Sequence, residues 1–270
     1  MIQTLFTYPF LIRLFNNIFN DNDKIKIISL NKFFNDKKLK FTYHKQIKIN
    51  QEDQHKWYYD CLINVVVDNI FTFPERVFKL TFGDDFNQPI QKYVPNSVKY
   101  LVFGNNFNQP IDNCMSDYVE YLIFGDNFNQ SINNIPKSLV GLAFGNNFNQ
   151  PIKNNIPRSL KMLNFGWHFN QEIEDCLPEG LRILIFGIAF NQNLENCLPS
   201  SLTELTLGSR FDKNIEILPD SIINLKFQGN NSIEIKRFPS SLKSLFCSEH
   251  FYYFNKDKIP SNIDLKIFRL

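Results

Sequence analysis

Cysteine is the residue type in this chain whose spacing comes nearest to a chemical site. Cys176 and Cys197 occupy the same position in neighbouring copies of a short repeat, and Cys114 occupies it further towards the N-terminus. Neighbouring thiolates can bind zinc, but two sulfur ligands without a histidine or another cysteine nearby make a poor site. We therefore interpret these cysteines as small apolar side chains that fill a core position, and we expect no metal and no cofactor.

Histidine does not supply a catalytic group in any recognisable pattern. His44 and His55 lie in the least patterned segment, whereas His168 and His250 fall at variable positions of different repeats. The sequence has no His-x-x-x-His pair, no Gly-x-Ser-x-Gly motif and no glycine run that would cradle a phosphate. We therefore expect no catalytic residue and predict that the protein is not an enzyme.

A column of asparagines recurs with the same period and has two interpretations. Its members are Asn87, Asn108, Asn129, Asn149, Asn170 and Asn191, with Asp212 next in line. The column could form a polar binding site. It could also be a buried ladder in which each amide bonds turn backbone and the amide of the next repeat, which spares each polar group a penalty of about 1–3 kcal/mol. We favour the ladder.

The elements that position these columns are coils of 20 or 21 residues. The string Phe-Asn-Gln-Pro-Ile at 86–90 returns at 107–111 and at 148–152. Each unit opens on a leucine, at Leu80, Leu101, Leu122, Leu142, Leu163, Leu184, Leu205, Leu225 and Leu245. A unit this short has no second layer against which to bury its apolar side, so it folds only when it is stacked on its neighbours.

Three recurring features indicate the shape of one coil. Leu-x-Phe alternates with a period of two, which is typical of a short strand that pairs in parallel with the next coil. A glycine follows, where the chain turns and a Cβ would obstruct, and a proline marks the bend before the next strand. Two phenylalanine columns, which begin at Phe82 and Phe86, are expected to stack as a spine. The far side has too few residues for a regular helix, so we expect extended chain or one 3₁₀ turn there.

The consensus Leu-x-x-Leu-x-Phe-Gly-x-x-Phe-Asn-Gln-Pro-Ile, over residues from about 74 to 250, resembles the FNIP repeat of social amoebae and of giant viruses of amoebae. That repeat looks like a short variant of the leucine-rich repeat. The resemblance implies a mainly β solenoid: a leucine-rich-repeat-like, right-handed stack of 20–21-residue coils with one parallel sheet, preceded by a short α-helical N-terminal segment. Units from Leu205 onward depart from the consensus, as terminal repeats do.

The N-terminal residues follow a different pattern. We predict an F-box-like helical segment over 1–50, a connector with a degenerate cap coil over 51–73, and the solenoid over 74–270, whose last two units form the C-terminal cap. Residues 8–36 resemble an F-box, with two apolar stripes about a polar turn, and FNIP proteins often carry an F-box there. The resemblance implies contact with the adaptor subunit of an SCF-type ubiquitin ligase through Phe10, Leu14, Ile18 and Phe19. The alternative is a plain helical cap on the solenoid.

One face of the predicted sheet has no packing role. In each strand the residues on either side of the second leucine point away from the core, and they are apolar in the middle of the stack and polar towards its ends. An apolar patch with a polar rim is typical of a protein-binding surface. The predicted partner contacts are Tyr100, Val102, Tyr121, Ile123, Met162, Ile183 and Ile185. Alternatively, these side chains only pack on each other or lie under the N-terminal segment.

Charge and composition narrow the class of protein. Residues 1–50 carry nine basic and three acidic residues, a balance of +6, whereas the remainder stands at −4. The lysines between Lys24 and Lys48 show no evident arrangement with aromatic residues on one groove, and charge runs on helices usually face solvent, so we do not expect nucleic-acid binding. No targeting signal is convincing, and no apolar run reaches the ~18 residues of a membrane span. Five cysteines, an odd number, favour reduced thiols inside a cell, and we expect the cytoplasm, of the host if the protein is viral.

These observations predict a protein–protein interaction module. The more specific hypothesis is a substrate-recruiting F-box and FNIP-repeat subunit for SCF-type ubiquitination, in which the repeats choose the target. The alternative is a non-enzymatic structural or scaffold repeat protein with no link to a ubiquitin ligase.

Overall fold

Twelve strands form one parallel sheet in the described part of the chain, and each pairs with its neighbours in sequence. The computed structural model describes residues 47–48, 64–67, 77–90, 94–213, 215–230 and 232–269. The strands are β1 (Ile47–Lys48), β2 (Asn64–Val67), β3 (Lys79–Phe82), β4 (Tyr100–Val102), β5 (Tyr121–Ile123), β6 (Gly141–Ala143), β7 (Met162–Asn164), β8 (Ile183–Ile185), β9 (Glu204–Leu207), β10 (Asn224–Phe227), β11 (Ser244–Ser248) and β12 (Asp264–Phe268). This order confirms the predicted solenoid with one parallel sheet.

The repeated leucine sets the register of the sheet. Leu80 pairs with Leu101, Leu101 with Leu122, and so on through the stack to Leu245. All nine leucines of this column are at most 2% exposed. Full burial of one such side chain stabilises the fold by roughly 1.5–3 kcal/mol, so the column explains why coils of 20 or 21 residues stack in register.

The two phenylalanine columns form the predicted spine. Phe82 stacks on Phe103 with ring centroids 5.2 Å apart, and Phe86 stacks on Phe107 at 6.0 Å. The columns also contact each other within a coil, as Phe144 and Phe148 do at 3.7 Å. Each such pair adds about 0.5–1.5 kcal/mol beyond the area that it buries. Packing in these two columns thereby accounts for 13 of the 29 phenylalanines.

The far side of the coils consists of turns with a conformation that the sequence analysis did not predict. In five consecutive coils, one residue has a left-handed backbone with φ between 54° and 66°, at Asn113, Asn134, Asn154, Asp175 and Asn196. Asparagine and aspartate tolerate this region because their short polar side chains can bond the local backbone. The prediction of no regular helix on this side is confirmed for the described coils that open at Leu80 to Leu225, and in five of them a turn with a left-handed residue replaces the expected 3₁₀ turn or extended chain.

The C-terminal coils depart from the repeat, as predicted, but they contain a helix that was not predicted. Helix α1 (Glu249–Asn255) follows β11, and Ser248 caps it by accepting a hydrogen bond from the N–H of Phe251 at 3.2 Å. Phe251 is buried and stacks on Phe227 at 4.4 Å, which continues the spine from a helix. Asn255 is also buried, and its side chain bonds Ile233 and Ile235 of the preceding coil.

The N-terminal predictions concern residues that are largely outside the described part. Strand β2 pairs with β3 and β1 pairs with β2, so the sheet continues beyond the first clear repeat. The helical segment and the adaptor contacts predicted at Phe10, Leu14, Ile18 and Phe19 lie outside the described residues.

Candidate interaction face

Two rows of side chains cross the outer face of the sheet because the register aligns them. The first row runs through Tyr100, Tyr121, Gly141, Met162 and Ile183. The second row runs through Val102, Ile123, Ala143, Asn164 and Ile185. The seven residues predicted as partner contacts thus lie together on one surface, which we call the apolar face: Tyr100, Val102, Tyr121, Ile123, Met162, Ile183 and Ile185.

The tyrosines of the apolar face are held in place by stacking. The rings of Tyr100 and Tyr121 lie 4.5 Å apart and within 3° of parallel. The ring of Tyr121 also covers Gly141, since a Cβ on that glycine would stand 2.6 Å from Cδ1 of the tyrosine. Phe78, 46% exposed, extends the stack at 5.2 Å from Tyr100. Sequence reasoning missed Phe78, which precedes its strand in a position that other coils fill with polar or aliphatic residues.

The centre of the apolar face is open to solvent. Ile123 is 42% exposed and Met162 is 43% exposed, whereas the other five members are half-buried. Mutual packing therefore covers part of this surface, as the alternative interpretation supposed, but leaves two large aliphatic side chains in water. Asn164, also exposed, interrupts the second row between Ala143 and Ile185. The apolar face is thus less continuous than its sequence suggested.

A charged border runs along the side where the strands begin. Lys99 Nζ lies 2.7 Å from Oε1 of Glu120 and 5.6 Å from the ring centroid of Tyr118. Lys161 and Arg182 take the equivalent positions in later coils. Their backbone N–H and C=O groups form hydrogen bonds with the preceding and the following coil. The apolar face therefore has a mainly basic border, which favours a partner with acidic groups beside its own apolar contacts.

The asparagine column forms the ladder that we favoured from the sequence. Asn149 Oδ1 accepts one hydrogen bond from the N–H of Asn170 at 2.9 Å and another from Nε2 of Gln171 at 3.1 Å. The same pattern links coil to coil from Asn87 to Asp212. The expected role is confirmed, but the expected burial is wrong: the column is half-buried at most, because the turn lies at the rim of the coil.

Two further ladders flank the strands and end together. Backbone N–H groups donate to the side chains of Asp84, Asn105 and Asp126 in one column, and the neighbouring column links the amides of Asn106 and Asn127. Both columns end in the coil where Trp167 and His168 take the place of the asparagine and aspartate side chains. The recurring polar pair after each glycine was the sequence signal for these ladders, and sequence reasoning did not use it.

The cysteines occupy structural positions. Cys114 and Cys176 are buried as predicted, whereas Cys197 is half-buried. The Sγ of Cys176 lies 3.2 Å from the carbonyl oxygen of Glu174 in its own turn. Burial raises the pKa of all three thiols above that of a free cysteine, which disfavours the reactive thiolate. Among the residues that the structure describes, no group of three or more histidine, cysteine, aspartate or glutamate side chains could hold a metal ion.

The described part contains two histidines, His168 and His250, and they lie in different coils. His168 is exposed on the turn after β7, and His250 Nε2 lies 2.7 Å from Ser232 Oγ near the C-terminal end. Within the described ranges, no helix is long and apolar enough to cross a membrane.

The comparison with protein families identifies the repeat. The family model of the FNIP repeat matches residues 69–106, 93–115, 107–147, 148–189 and 190–229, which together exceed half of the chain. No curated protein matches the chain. The family assignment therefore rests on the repeats themselves.

Solved structures are similar to the stack. CroV588, a circular leucine-rich-repeat protein of the giant virus CroV, shares 38% identity with a TM-score of 0.66 over 77% of this chain and 34% of CroV588. YopM from Yersinia enterocolitica shares 18% identity with a TM-score of 0.40, over 77% of this chain and 52% of YopM. The chain thus spans about a third of the length of CroV588, and the similarity to CroV588 supports a leucine-rich-repeat type of fold.

Proposed function

The chain belongs to the FNIP-repeat family, and on that premise we propose that it is a non-enzymatic interaction module whose protein partner binds the apolar face. The observation that carries the proposal is the exposure of Ile123 and Met162 at the centre of a surface that rigid strands hold in register. Leaving such side chains in water is costly, and a partner that covers them recovers this free energy. FNIP and leucine-rich repeats serve generally as scaffolds, which agrees with this role.

The composition of the apolar face supports a protein partner. Stacked tyrosines supply large contact areas with little loss of side-chain entropy, and aromatic residues are enriched at the energetic centres of interfaces. The ends of the two rows are polar, at Lys79 and Thr81 on one side and at Glu204 and Thr206 on the other. An apolar centre within a polar rim is the usual organisation of such an interface.

The more specific part of the proposal concerns the N-terminal segment. The F-box resemblance of residues 8–36 supports a subunit that recruits substrates for SCF-type ubiquitination, in which Phe10, Leu14, Ile18 and Phe19 contact the ligase adaptor. The apolar face would then hold the protein to be modified. This role requires a cytoplasmic location, in the host cell if the protein is viral.

A first experiment tests the apolar face. Ile123→Glu combined with Met162→Glu places two charges at its exposed centre, and Ile217→Glu is the matched control because Ile217 is 73% exposed on another surface. Proteins that co-purify with the full chain from amoebal lysate are identified by mass spectrometry. We expect the double variant to lose a specific partner that Ile217→Glu keeps, with both variants folded by circular dichroism. Retention of every partner by the double variant would reject the apolar face as the site.

A second experiment tests the link to the ligase. The purified full chain is titrated with a purified SCF adaptor subunit in calorimetry, and Leu14→Asp with Ile18→Asp should abolish the heat of binding. The apolar-face double variant serves as the control and should bind the adaptor like the wild type. If the wild-type chain does not bind the adaptor, the ubiquitination role is wrong and the scaffold alternative remains, whatever the first experiment finds.

A further inference from the structure

The turns that precede β6 and β7 form a cavity of about 630 Å³, which we call the turn cavity. This volume lies within the range of roughly 300–1,000 Å³ that is typical of sites for small molecules. None of its lining residues belongs to the apolar face. Most of them are polar, including Asn133, Asn134, Lys137, Asn154, Asn155 and Arg158. The turn cavity is therefore a second candidate site, with amide and cationic groups in place of apolar ones.

Two cations line the turn cavity at the same position of neighbouring coils. Lys137 follows Pro136 and Arg158 follows Pro157, the prolines that mark the bend before each strand. The two coils touch at this point, because Oγ of Ser159 donates to the carbonyl oxygen of Lys137 at 2.7 Å. Neither cation forms an ion pair with any residue that the structure describes. The turn cavity thus combines two positive charges without a partner carboxylate, which favours an anion.

Other coils of the same chain place a carboxylate at the position after the proline. Asp117, one coil before Lys137, accepts a hydrogen bond from the N–H of Lys137 at 2.9 Å. Asp220 takes this position in a later coil, where it accepts from the N–H of Ser240 at 3.0 Å and from Nη2 of Arg237 at 3.1 Å. The Ser240 N–H, and after it Arg237, hold the pKa of the Asp220 carboxyl below its ordinary value. A negative group at this position is therefore stabilised by the backbone of the following coil and by a guanidinium.

The corresponding hydrogen bond is missing at the turn cavity. The residue one coil before Arg158 is Lys137, whose side chain has no acceptor, and the N–H of Arg158 has no partner among the described residues. The N–H of Glu179, one coil after Arg158, likewise has none in this part of the chain. Asp117 and Glu179 border the two cations, so the positive charge is limited to two coils. This arrangement suits one compact anion better than a long polyanion.

A second cavity shows that charge distinguishes the turn cavity from similar grooves. It has a volume of about 310 Å³ and lies at the turns before β9 and β10. Its described lining residues include Glu195 and Glu216 but no lysine or arginine. An anion in this groove would meet two carboxylates, so the groove lacks the property that makes the turn cavity a candidate site.

We propose that the turn cavity binds the phosphate group of a phosphate monoester, held by the side chains of Lys137 and Arg158 and by the N–H of Arg158. A phosphate monoester carries a charge of about −1.5 to −2 at pH 7 and three strong acceptor oxygens, which matches two cations and a backbone donor. The guanidinium of Arg158 binds two oxygens as a planar fork, whereas Lys137 acts as a point charge. The asparagine amides of the lining are available to the group that carries the phosphate.

The test is calorimetric titration of the full chain at constant ionic strength. The probes are inorganic phosphate, glycerol phosphate and a short peptide that contains phosphoserine, and glycerol and the unphosphorylated peptide are the blanks. Lys137→Gln combined with Arg158→Gln should raise the Kd of each phosphorylated probe at least about tenfold, because two charged donors are lost. Arg210→Gln combined with Lys213→Gln is the matched control. It removes the same two charges from exposed positions of another coil and should leave the Kd within about twofold of the wild type.

Lys137→Asp is an independent test, because it restores the carboxylate that Asp117 and Asp220 present to the following coil. The N–H of Arg158 then has an acceptor within the chain. This variant should lose phosphate binding, and in phosphate-free buffer it should melt at a higher temperature than Lys137→Gln. Both substitutions are at an exposed position, so circular dichroism should show the same fold as the wild type.

The two esters distinguish the source of the phosphate. Tighter binding of the phosphopeptide supports a phosphorylated protein as the ligand, and tighter binding of glycerol phosphate supports a small phosphorylated molecule. Three results would overturn the proposal. The first is no binding of either ester, and if inorganic phosphate still binds, it is an adventitious ion only. The second is an equal loss of affinity in the two double variants, which would indicate a general effect of net charge. The third is a Lys137→Asp variant that binds phosphate like the wild type.

Discussion

A Cβ placed on Gly166 would stand 1.8 Å from the carbonyl oxygen of Gly145 in the preceding coil. The glycine column therefore exists because successive coils approach each other at this turn, backbone against backbone. Backbone conformation is not the reason, since no glycine in the described ranges has a positive φ. From the sequence we correctly expected a Cβ to clash at this glycine, but we attributed the clash to the turn within one coil and not to the preceding coil.

Replacing Gly166 with alanine should lower the free energy of unfolding by at least about 2 kcal/mol, because backbone atoms of two coils must separate. Gly180→Ala is the matched control. A Cβ there meets the flexible end of Lys161, whose Nζ lies 2.4 Å away and can move. Urea unfolding of both variants measures the difference, and equal stability of the two would contradict the close-approach explanation.

The asparagine ladder makes a second prediction, because only the side-chain oxygen of Asn149 is needed to bond the next coil. Asn149→Ala removes the acceptor of the Asn170 N–H and should cost about 1–3 kcal/mol. Asn149→Asp keeps an acceptor at the same place and should cost less than half as much at neutral pH. Thermal unfolding compares the two variants. If aspartate is as damaging as alanine, the donor amide and not the oxygen supports the ladder.

The repeat made most of the stack predictable, because each column places the same type of residue in the same surroundings in every coil. Leu80 and Phe82 could be assigned to the core from their spacing and from their copies in later coils. The left-handed Asn154 and helix α1 could not be assigned in this way. Asparagine is common in this chain and its conformation depends on the turn around it, whereas α1 occurs once, so no periodic signal marks it.

The apolar face was predictable in position but not in exposure. Alternation in the strand placed Tyr121 and Ile123 outward, and the structure places them there. Gly141 leaves space for the ring of Tyr121, whereas the small side chain of Ala143, which pairs with Ile123, covers little of it. Such lateral contacts between coils depend on the side-chain rotamer, which the sequence pattern does not specify.

A serine column provides a third prediction, this time of a stabilising change. Ser138 donates to the carbonyl oxygen of Val119 at 2.8 Å, and Ser159 donates to that of Leu139 at 2.6 Å. Gly180 occupies the same position one coil later, opposite Leu160. Gly180→Ser should add the missing bond and raise the free energy of unfolding by about 0.5–1.5 kcal/mol. Gly180→Ala separates the hydrogen bond from the effect of removing a glycine, which alone contributes about 0.4–1 kcal/mol.

If serine and alanine at position 180 stabilise the chain equally, the hydroxyl makes no net contribution and the serine column reflects only a small side chain. A gain confined to serine would support the hydrogen bond. The comparison is made by urea unfolding at one temperature, so that the slope of each transition also reports whether the folded state has changed.

The buried thiol of Cys247 predicts a pH dependence of stability. Burial raises its pKa from 9.0 to about 11. The folded chain therefore holds this proton more tightly than the unfolded chain, and the thiol contributes its full stabilisation below pH 9. That contribution, on the order of 3 kcal/mol, is lost as the pH rises from about 9 to about 11.

Other groups titrate in the same interval, so the measurement is the difference between the wild type and Cys247→Ala. At pH 8 the variant should be the less stable of the two, because the substitution leaves a small cavity. Between pH 9 and pH 11 the difference in free energy of unfolding should shrink or change sign, since only the wild type is destabilised by keeping this thiol protonated or by burying its thiolate. Cys197→Ala is the control, and its half-exposed side chain should give a much weaker dependence. Parallel curves for the wild type and Cys247→Ala would mean that water reaches the thiol in the folded chain.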